Sequence, residues 1–270
     1  EYAKRVLSEN GLSVTALNHF MNCPSEFLYK SILKVPESPT PSSEKGIAMH
    51  KALAEVWQSK EKNTSSIANI INKSIKDYFK NSLINLTDKE VVLDELITNA
   101  PRVAVALTEH FVQEGKIFTE KWIEGSFLGK YDKKEITLKI HGQMDAILET
   151  EKKVLVFDYK TREALSVNAI KGETKDSDGN YFRQLIFYKR LLSANSFYSE
   201  KEIEPALVFV KPDLKGRCPT ITLPISKEDI ERVNMEINAL IQSVYSGDFL
   251  NQSCDNKDCE YCTYRKLWSF

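Results

Sequence analysis

Two acids and an amine pose the first chemical question. Asp145 lies in the run I-H-G-Q-M-D-A-I-L-E, and Asp158 and Lys160 lie in V-L-V-F-D-Y-K-T, with the charged T-E-K-K between them. Two apolar, β-prone runs around a short charged turn predict a hairpin over residues 140–161. Asp145 sits early in the first strand and Asp158 late in the second, so an antiparallel register brings both to one end of the sheet. Lys160 follows Asp158 by two positions and projects from the same face of an extended strand. Two carboxylates and an ammonium are costly to gather at one point unless a cation sits among them.

Context separates this pair from its lookalikes. Asp-x-Lys also occurs at Asp132/Lys134, Asp213/Lys215 and Asp255/Lys257, but those copies fall in a turn, in a loop after Pro212, and among cysteines. Only Asp158 closes a run dense enough to be a central strand buried on both faces. His50 lies on an expected helix, four residues after Gly46, which admits a close backbone neighbour. Alone it reads more readily as a satisfied or surface histidine than as a metal ligand. Gln184 and Tyr188 share one helix face by their four-residue spacing, and alone they read as packing residues with polar tips.

The elements that must position these groups follow from periodicity. Helices are expected after Ser13 up to Pro24, over residues 24–33, 44–59, 64–81 and 87–114, and Pro101 starts or kinks the last of these. Strands are expected over residues 117–127, 135–140, 154–159, 206–210 and 220–223, with a turn at 129–134. An amphipathic helix covers 181–192, and a long one covers 225–245, capped by Ser226 and stopped by Gly247. Residues 35–43 and 172–180 are loops. This order predicts an α/β fold, a central mixed β-sheet flanked by helices, with a helical insertion at about residues 59–115.

A chain of 270 residues with 42% apolar and 28% charged residues can bury an ordinary core. A net charge of −1 makes no global case for nucleic acid, so any polyanion surface must be local. No apolar run is long enough to span a bilayer and no secretory signal is visible, so no membrane partner and a cytoplasmic location are expected. The chain opens at Glu1 without a methionine, which predicts a piece of something longer. Of five cysteines, Cys23, Cys254, Cys259 and Cys262 cluster at the two ends, a grouping that favours metal ligation over disulfides in a cytoplasmic setting.

Taken together the motifs resemble the PD-(D/E)XK nuclease superfamily, in particular the RecB/AddB-type nuclease domains attached to DNA helicases. Leu12-Ser13-x-Thr15-x-Leu17 with Cys23-Pro24-x-x-Phe27-x-Tyr29 is similar to the opening helix of that family, and Gly46-x-x-x-His50-x-x-Leu53 to its histidine motif. Gly142-x-x-Asp145 resembles its first acidic motif, Asp158-Tyr159-Lys160-Thr161 its DYKT signature, and Gln184-Leu185-x-x-Tyr188 its QLxxY helix. The resemblance implies a restriction-endonuclease-like core in a single domain over residues 1–270. It also implies a metal-dependent deoxyribonuclease, an exonuclease serving DNA repair and recombination. His50, Asp145, Asp158 and the Tyr159 backbone carbonyl would bind Mg²⁺ or Mn²⁺, Lys160 would position the attacking water, and Gln184 and Tyr188 would orient Lys160. Glu120 or Glu124 is a further carboxylate candidate.

The implied partners are DNA ends, met with little sequence specificity, and a helicase domain or subunit. The chain has no G-x-x-x-x-G-K-[ST] motif of its own. Lys171, Lys175, Arg183, Lys211, Lys215 and Arg217 are the local basic residues for phosphate contacts. Members of this type hold a [4Fe–4S] cluster on one early cysteine and a C-x2-C-x5-C tail. Here Cys23, Cys259 and Cys262 match, the expected last position is Trp268, and Cys254 would substitute for it. Zinc on the same thiolates, or free thiols, are the alternatives. A stand-alone or CRISPR-associated RecB-like exonuclease and a non-catalytic DNA-end-binding module are the rival functions. The termini, residues 1–34 and 247–270, are expected to pack together.

Overall fold

The computed structural model of the chain describes residues 1–267, and all counts are of those residues; Trp268 lies outside them. The chain is a mixed α/β fold in three layers, with a six-stranded sheet between two helical layers. In chain order the elements are α1 (Tyr2–Asn10), β1 (Leu12–Ser13), α2 (Val14–Asn22), α3 (Pro24–Glu26), α4 (Pro41–Gln58), α5 (Thr64–Phe79), α6 (Leu86–Thr108), β2 (Lys116–Tyr131), β3 (Lys134–Glu149), β4 (Lys153–Lys160), α7 (Val167–Lys171), α8 (Asn180–Ser193), β5 (Glu202–Phe209), β6 (Thr220–Thr222), α9 (Lys227–Ser246) and α10 (Glu260–Leu267). The sheet order is β1-β3-β4-β5-β6, with β2 on the other edge of β3. β4 and β5 run parallel, and β2–β3, β3–β4 and β5–β6 are antiparallel.

Alternation of side chains builds both cores. Val154 and Val156 of β4 and Leu207 of β5 pack with Leu17, Leu185, Ile186, Ile237 and Ile241 of α2, α8 and α9. Phe157 and Tyr159, with Ala206 and Val208, point the other way, onto Leu53 and Trp57 of α4, Ile71 of α5 and Leu96 and Val103 of α6. β4 and β5 are therefore apolar on both faces, as a parallel central pair must be.

Several boundaries differ from the sequence expectation. Ser13 caps α2 as expected, accepting from the Ala16 amide, but Leu12 and Ser13 also pair in parallel with Ile140 and His141 of β3 as a short strand. Residues 24–33 begin as one helical turn and widen into a π-helical stretch, Phe27–Ile32, closed by the Leu33 amide donating to the Leu28 carbonyl at 2.8 Å. α4 starts at Pro41 because Thr40 and Ser43 form a reciprocal cap within the stretch expected to be a loop. α6 continues through Pro101, which lies on its exposed side. The strands expected over 135–140 and 140–149 are one sixteen-residue strand, β3, joined to β2 by a two-residue turn with Asp132 and Lys133 at positive φ.

One buried polar contact ties α4 to the sheet: Trp57 Nε1 donates to the Tyr159 hydroxyl at 2.6 Å. Trp57→Phe removes that partner from a buried hydroxyl, and the expected cost is about 1–3 kcal/mol in urea unfolding. Unchanged stability would show that the contact contributes nothing.

Candidate active site

The site begins where two strands part. The β3–β4 ladder ends at Ala146↔Phe157, and the next opposed residues would be Asp145 and Asp158. Beyond that point β4 stays with β5 as far as Lys160↔Phe209, while β3 stays with β2. Into the opening between them Asp145 places its carboxylate, whose Oδ2 accepts from the Tyr159 amide at 2.8 Å. The side chain thus replaces the ladder carbonyl that the parting strands take away.

β2 and β3 also change phase here. Ile123 and Met144 join the core beneath α8. Ala146 and Leu148, on the same alternation as Met144, lie in the opposite core. At the change Glu120 has φ 49°, a left-handed conformation uncommon for a residue with a side chain.

α4 contributes His50. Its Nδ1 lies 3.1 Å from Asp145 Oδ1 and its Nε2 lies 3.1 Å from the Tyr159 carbonyl oxygen. Gly46, one turn earlier, leaves this end of α4 without a side chain opposite Thr161. Burial works against charge on the imidazole, but the hydrogen bond and charge of Asp145, then the charge of Asp158, raise its pKa above the ordinary value. Ligating atoms of His50, Asp145 and Glu120 all lie within 4.8 Å of one another. Glu120 accepts from Gln143 Nε2 at 2.7 Å, whereas Glu124 turns away to Trp122 and Lys139.

The second half of the site is a hydrogen-bonded relay on β4 and α8. Gln184 Nε2 donates to Asp158 Oδ1 at 2.8 Å and to the Tyr188 hydroxyl at 2.9 Å, while Gln184 Oε1 accepts from Lys160 Nζ at 2.8 Å. Lys160 Nζ lies 2.6 Å from Asp158 Oδ2 and 4.7 Å from the centre of the Tyr181 ring. That Oδ2 has this ion contact but no hydrogen bond of good angle, and it is buried. Burial pushes the Asp158 carboxyl up, with Lys160 pulling the other way and Asp145 adding to the rise. Burial opposes the Lys160 ammonium, yet the charge of Asp158 holds its pKa above the ordinary lysine value. Gly142 matters because a Cβ there would meet the Tyr188 ring at 3.3 Å.

The donor set fits a hard divalent cation. It offers carboxylates, one imidazole and a backbone carbonyl, and the 3.1 Å between His50 Nε2 and the Tyr159 oxygen matches neighbouring ligands about 3 Å apart on an octahedral ion. Asp158 is not in the group formed by His50, Glu120 and Asp145; its carboxylate faces the relay instead. Of the basic residues singled out from the sequence, Arg183 is drawn inward, pairing with Glu236 at 2.7 Å and donating to Asn18 and Asn180. Lys211 pairs with Glu163 and Arg217 with Asp213. Gln143 and the left-handed backbone of Glu120 carried no recognisable signal in the sequence.

Between α2–α3 and the start of α10, Cys23, Cys254, Cys259 and Cys262 come together as a four-cysteine site. Cys218 is buried in the core of α4–α6.

A family model described as the PD-(D/E)XK nuclease superfamily matches residues 11–267. A crystal structure from Eubacterium rectale, described as a "putative exonuclease", is similar over 97% of this chain and 89% of its own, with a TM-score of 0.61 and 11% identity. A second solved structure, SSO0001, covers 98% of this chain and 93% of its own with a TM-score of 0.41 and 19% identity. No curated protein matches the sequence. At 11% identity the first likeness speaks to fold alone.

Gln184→Leu keeps the side-chain volume but removes three hydrogen bonds of the relay. The expected loss is about 1–3 kcal/mol in chemical unfolding without added metal. An unaltered unfolding midpoint would mean that the relay does not hold Asp158 and Lys160 in place.

Proposed function

The chain belongs to the PD-(D/E)XK nuclease superfamily, and on that basis we propose that it hydrolyses phosphodiester bonds of DNA with Mg²⁺ or Mn²⁺, working from ends. The observation that carries this reading is the convergence of His50, Asp145 and the Tyr159 carbonyl within hydrogen-bonding distance, beside a buried Asp158–Lys160 pair. A divalent cation on His50, Asp145, Glu120 and the Tyr159 carbonyl, with Asp158 beside it in the relay, would polarise the scissile phosphate and acidify the attacking water.

The remaining work falls to the chain's own groups. Lys160, held beside Asp158, would offer its ammonium to the incoming water and to a phosphate oxygen and offset the charge that grows on that oxygen. Gln184 keeps that ammonium aimed, because its amide is oriented at both ends: the oxygen holds Lys160 and the nitrogen holds Asp158 and Tyr188. Burial of Asp158, 3% exposed, keeps water from loosening the pair. Tyr188 braces Asp158 Oδ1 and the Gln143 carbonyl through its hydroxyl.

Attack from ends is what the resemblance of the five motifs implies, and the Eubacterium rectale protein of like fold is described as a "putative exonuclease". The resemblance of the five motifs to RecB/AddB-type domains supports a place beside a helicase domain or subunit in repair and recombination. The absence of a phosphate-loop motif in these 270 residues accords with unwinding supplied by such a partner.

Asp158→Ala and Lys160→Ala are expected to lower the rate on end-labelled DNA in Mn²⁺ by at least about 100-fold, with circular dichroism and DNA affinity unchanged. Parental cleavage by Lys160→Ala would place the chemistry elsewhere. Linear DNA should be degraded while covalently closed circles persist. Equal loss of both forms would remove the exonuclease reading but leave the nuclease reading standing.

A further inference from the structure

The four-cysteine site has a geometry of its own. Cys23 Sγ lies 3.5 Å from Cys262 Sγ and 3.7 Å from Cys259 Sγ, and Cys254 Sγ lies 3.7 Å from Cys262 Sγ. All four sulfurs lie within 4.8 Å of one another. Four thiolates on one tetrahedral ion with bonds of about 2.3 Å stand about 3.8 Å apart. In a [4Fe–4S] cube each thiolate binds a different iron and points outward, so the sulfurs stand roughly 6 Å apart. A [2Fe–2S] centre also separates its two thiolate pairs, one on each iron. None of these separations leaves room for a cube. They match a shared single ion.

Backbone placement supports the same conclusion. Cys23 is fixed twice, as the residue that ends α2 and begins α3. Cys259 and Cys262 straddle the start of α10 with two residues between them, the spacing by which a short turn grips one ion. Cys254 completes the set from the preceding loop, with its own Sγ near the Asn256 carbonyl. The tail therefore reads C-x4-C-x2-C, and the position where a cluster-binding tail would carry its last thiolate holds Trp268.

We infer that Cys23, Cys254, Cys259 and Cys262 form a mononuclear tetrahedral site for zinc, not the seat of an iron–sulfur cube. Zn²⁺ has no redox chemistry and takes four thiolates without a bridging sulfide, so nothing beyond the four side chains is needed. Its role is structural. It joins two points 239 residues apart in sequence, Cys23 and Cys262, and so closes a loop whose entropy the unfolded chain would otherwise keep.

The test is metal and sulfide analysis of the full chain, purified without oxygen from cells supplied with both iron and zinc. The expected result is a colourless protein with one zinc per chain and no acid-labile sulfide. Replacement by Co²⁺ should produce the intense visible absorption of a tetrahedral cobalt–thiolate centre. Cys254→Ser, a partly exposed position, should lose the zinc and the cobalt spectrum, while Cys218→Ser keeps both. A brown protein with about four irons and sulfide per chain, a single iron, or a chain that binds no metal would each overturn the assignment. Because the readouts are metal content and absorption, they are independent of whether the chain cuts DNA.

Discussion

The arrangement at the centre of this molecule depends on one hydrogen bond, from the Tyr159 amide to Asp145 Oδ2. Two strands that separate leave backbone donors and acceptors without partners, and a buried orphan is costly. Here β3 and β4 separate past Ala146↔Phe157, and a carboxylate closes the gap. The same carboxylate faces His50 through its other oxygen. One side chain therefore pays for the opening in the sheet and furnishes the opening with charge. That double use makes Asp145 hard to vary: an amide could accept from Tyr159 with its oxygen, but it would present neutral nitrogen to the imidazole.

The relay on the other side shows how the fold keeps a buried lysine beside a buried acid. An ion pair out of water is worth having only when its remaining hydrogen-bonding capacity is met. Gln184 meets part of it, with one bond to each partner and a third to Tyr188, in a single orientation, because reversing the amide would set its NH₂ against the Lys160 ammonium. Gln184 can do this because α8 packs closely on β3. That packing needs Gly142, since the Tyr188 ring occupies the space a side chain would take. The glycine three residues before Asp145 and the tyrosine four after Gln184 are thus two sides of one contact.

Much of this was legible in the sequence, for reasons of period. A hairpin with a short charged turn sets which residues oppose one another, and that alone aligned Asp145 with Asp158. Four-residue spacing put Gln184 and Tyr188 on one face, and dense apolar runs marked β4 and β5 as central. Other features left no trace, because they depend on partners far away in the chain. Ser13 looks like a helix cap and is one, but its pairing and that of Leu12 with Ile140 and His141 exist only because β3 offers an open edge there. Arg183 looks like a phosphate contact and is taken by Glu236, 53 residues away. The left-handed Glu120 is a consequence of two strands changing phase together, which no local pattern announces.

The phase change also explains why the site lies where it does. His50 comes from the helical layer on one face of the sheet and Gln184 from the layer on the other. A flat sheet would keep such groups apart by its own thickness. The groups meet only where the sheet is interrupted, and the interruption has two parts: the separation of β3 from β4, and the reversal of alternation in β2 and β3 opposite Asp145. At that seam β4 turns Tyr159 toward α4 and Asp158 and Lys160 toward α8, so consecutive residues serve opposite layers. An acid, an amide carbonyl and an amine can then share one neighbourhood without any strand leaving the sheet. The motif Asp-Tyr-Lys is in this sense a crossing point, with its middle residue anchoring one core while its outer two face the other.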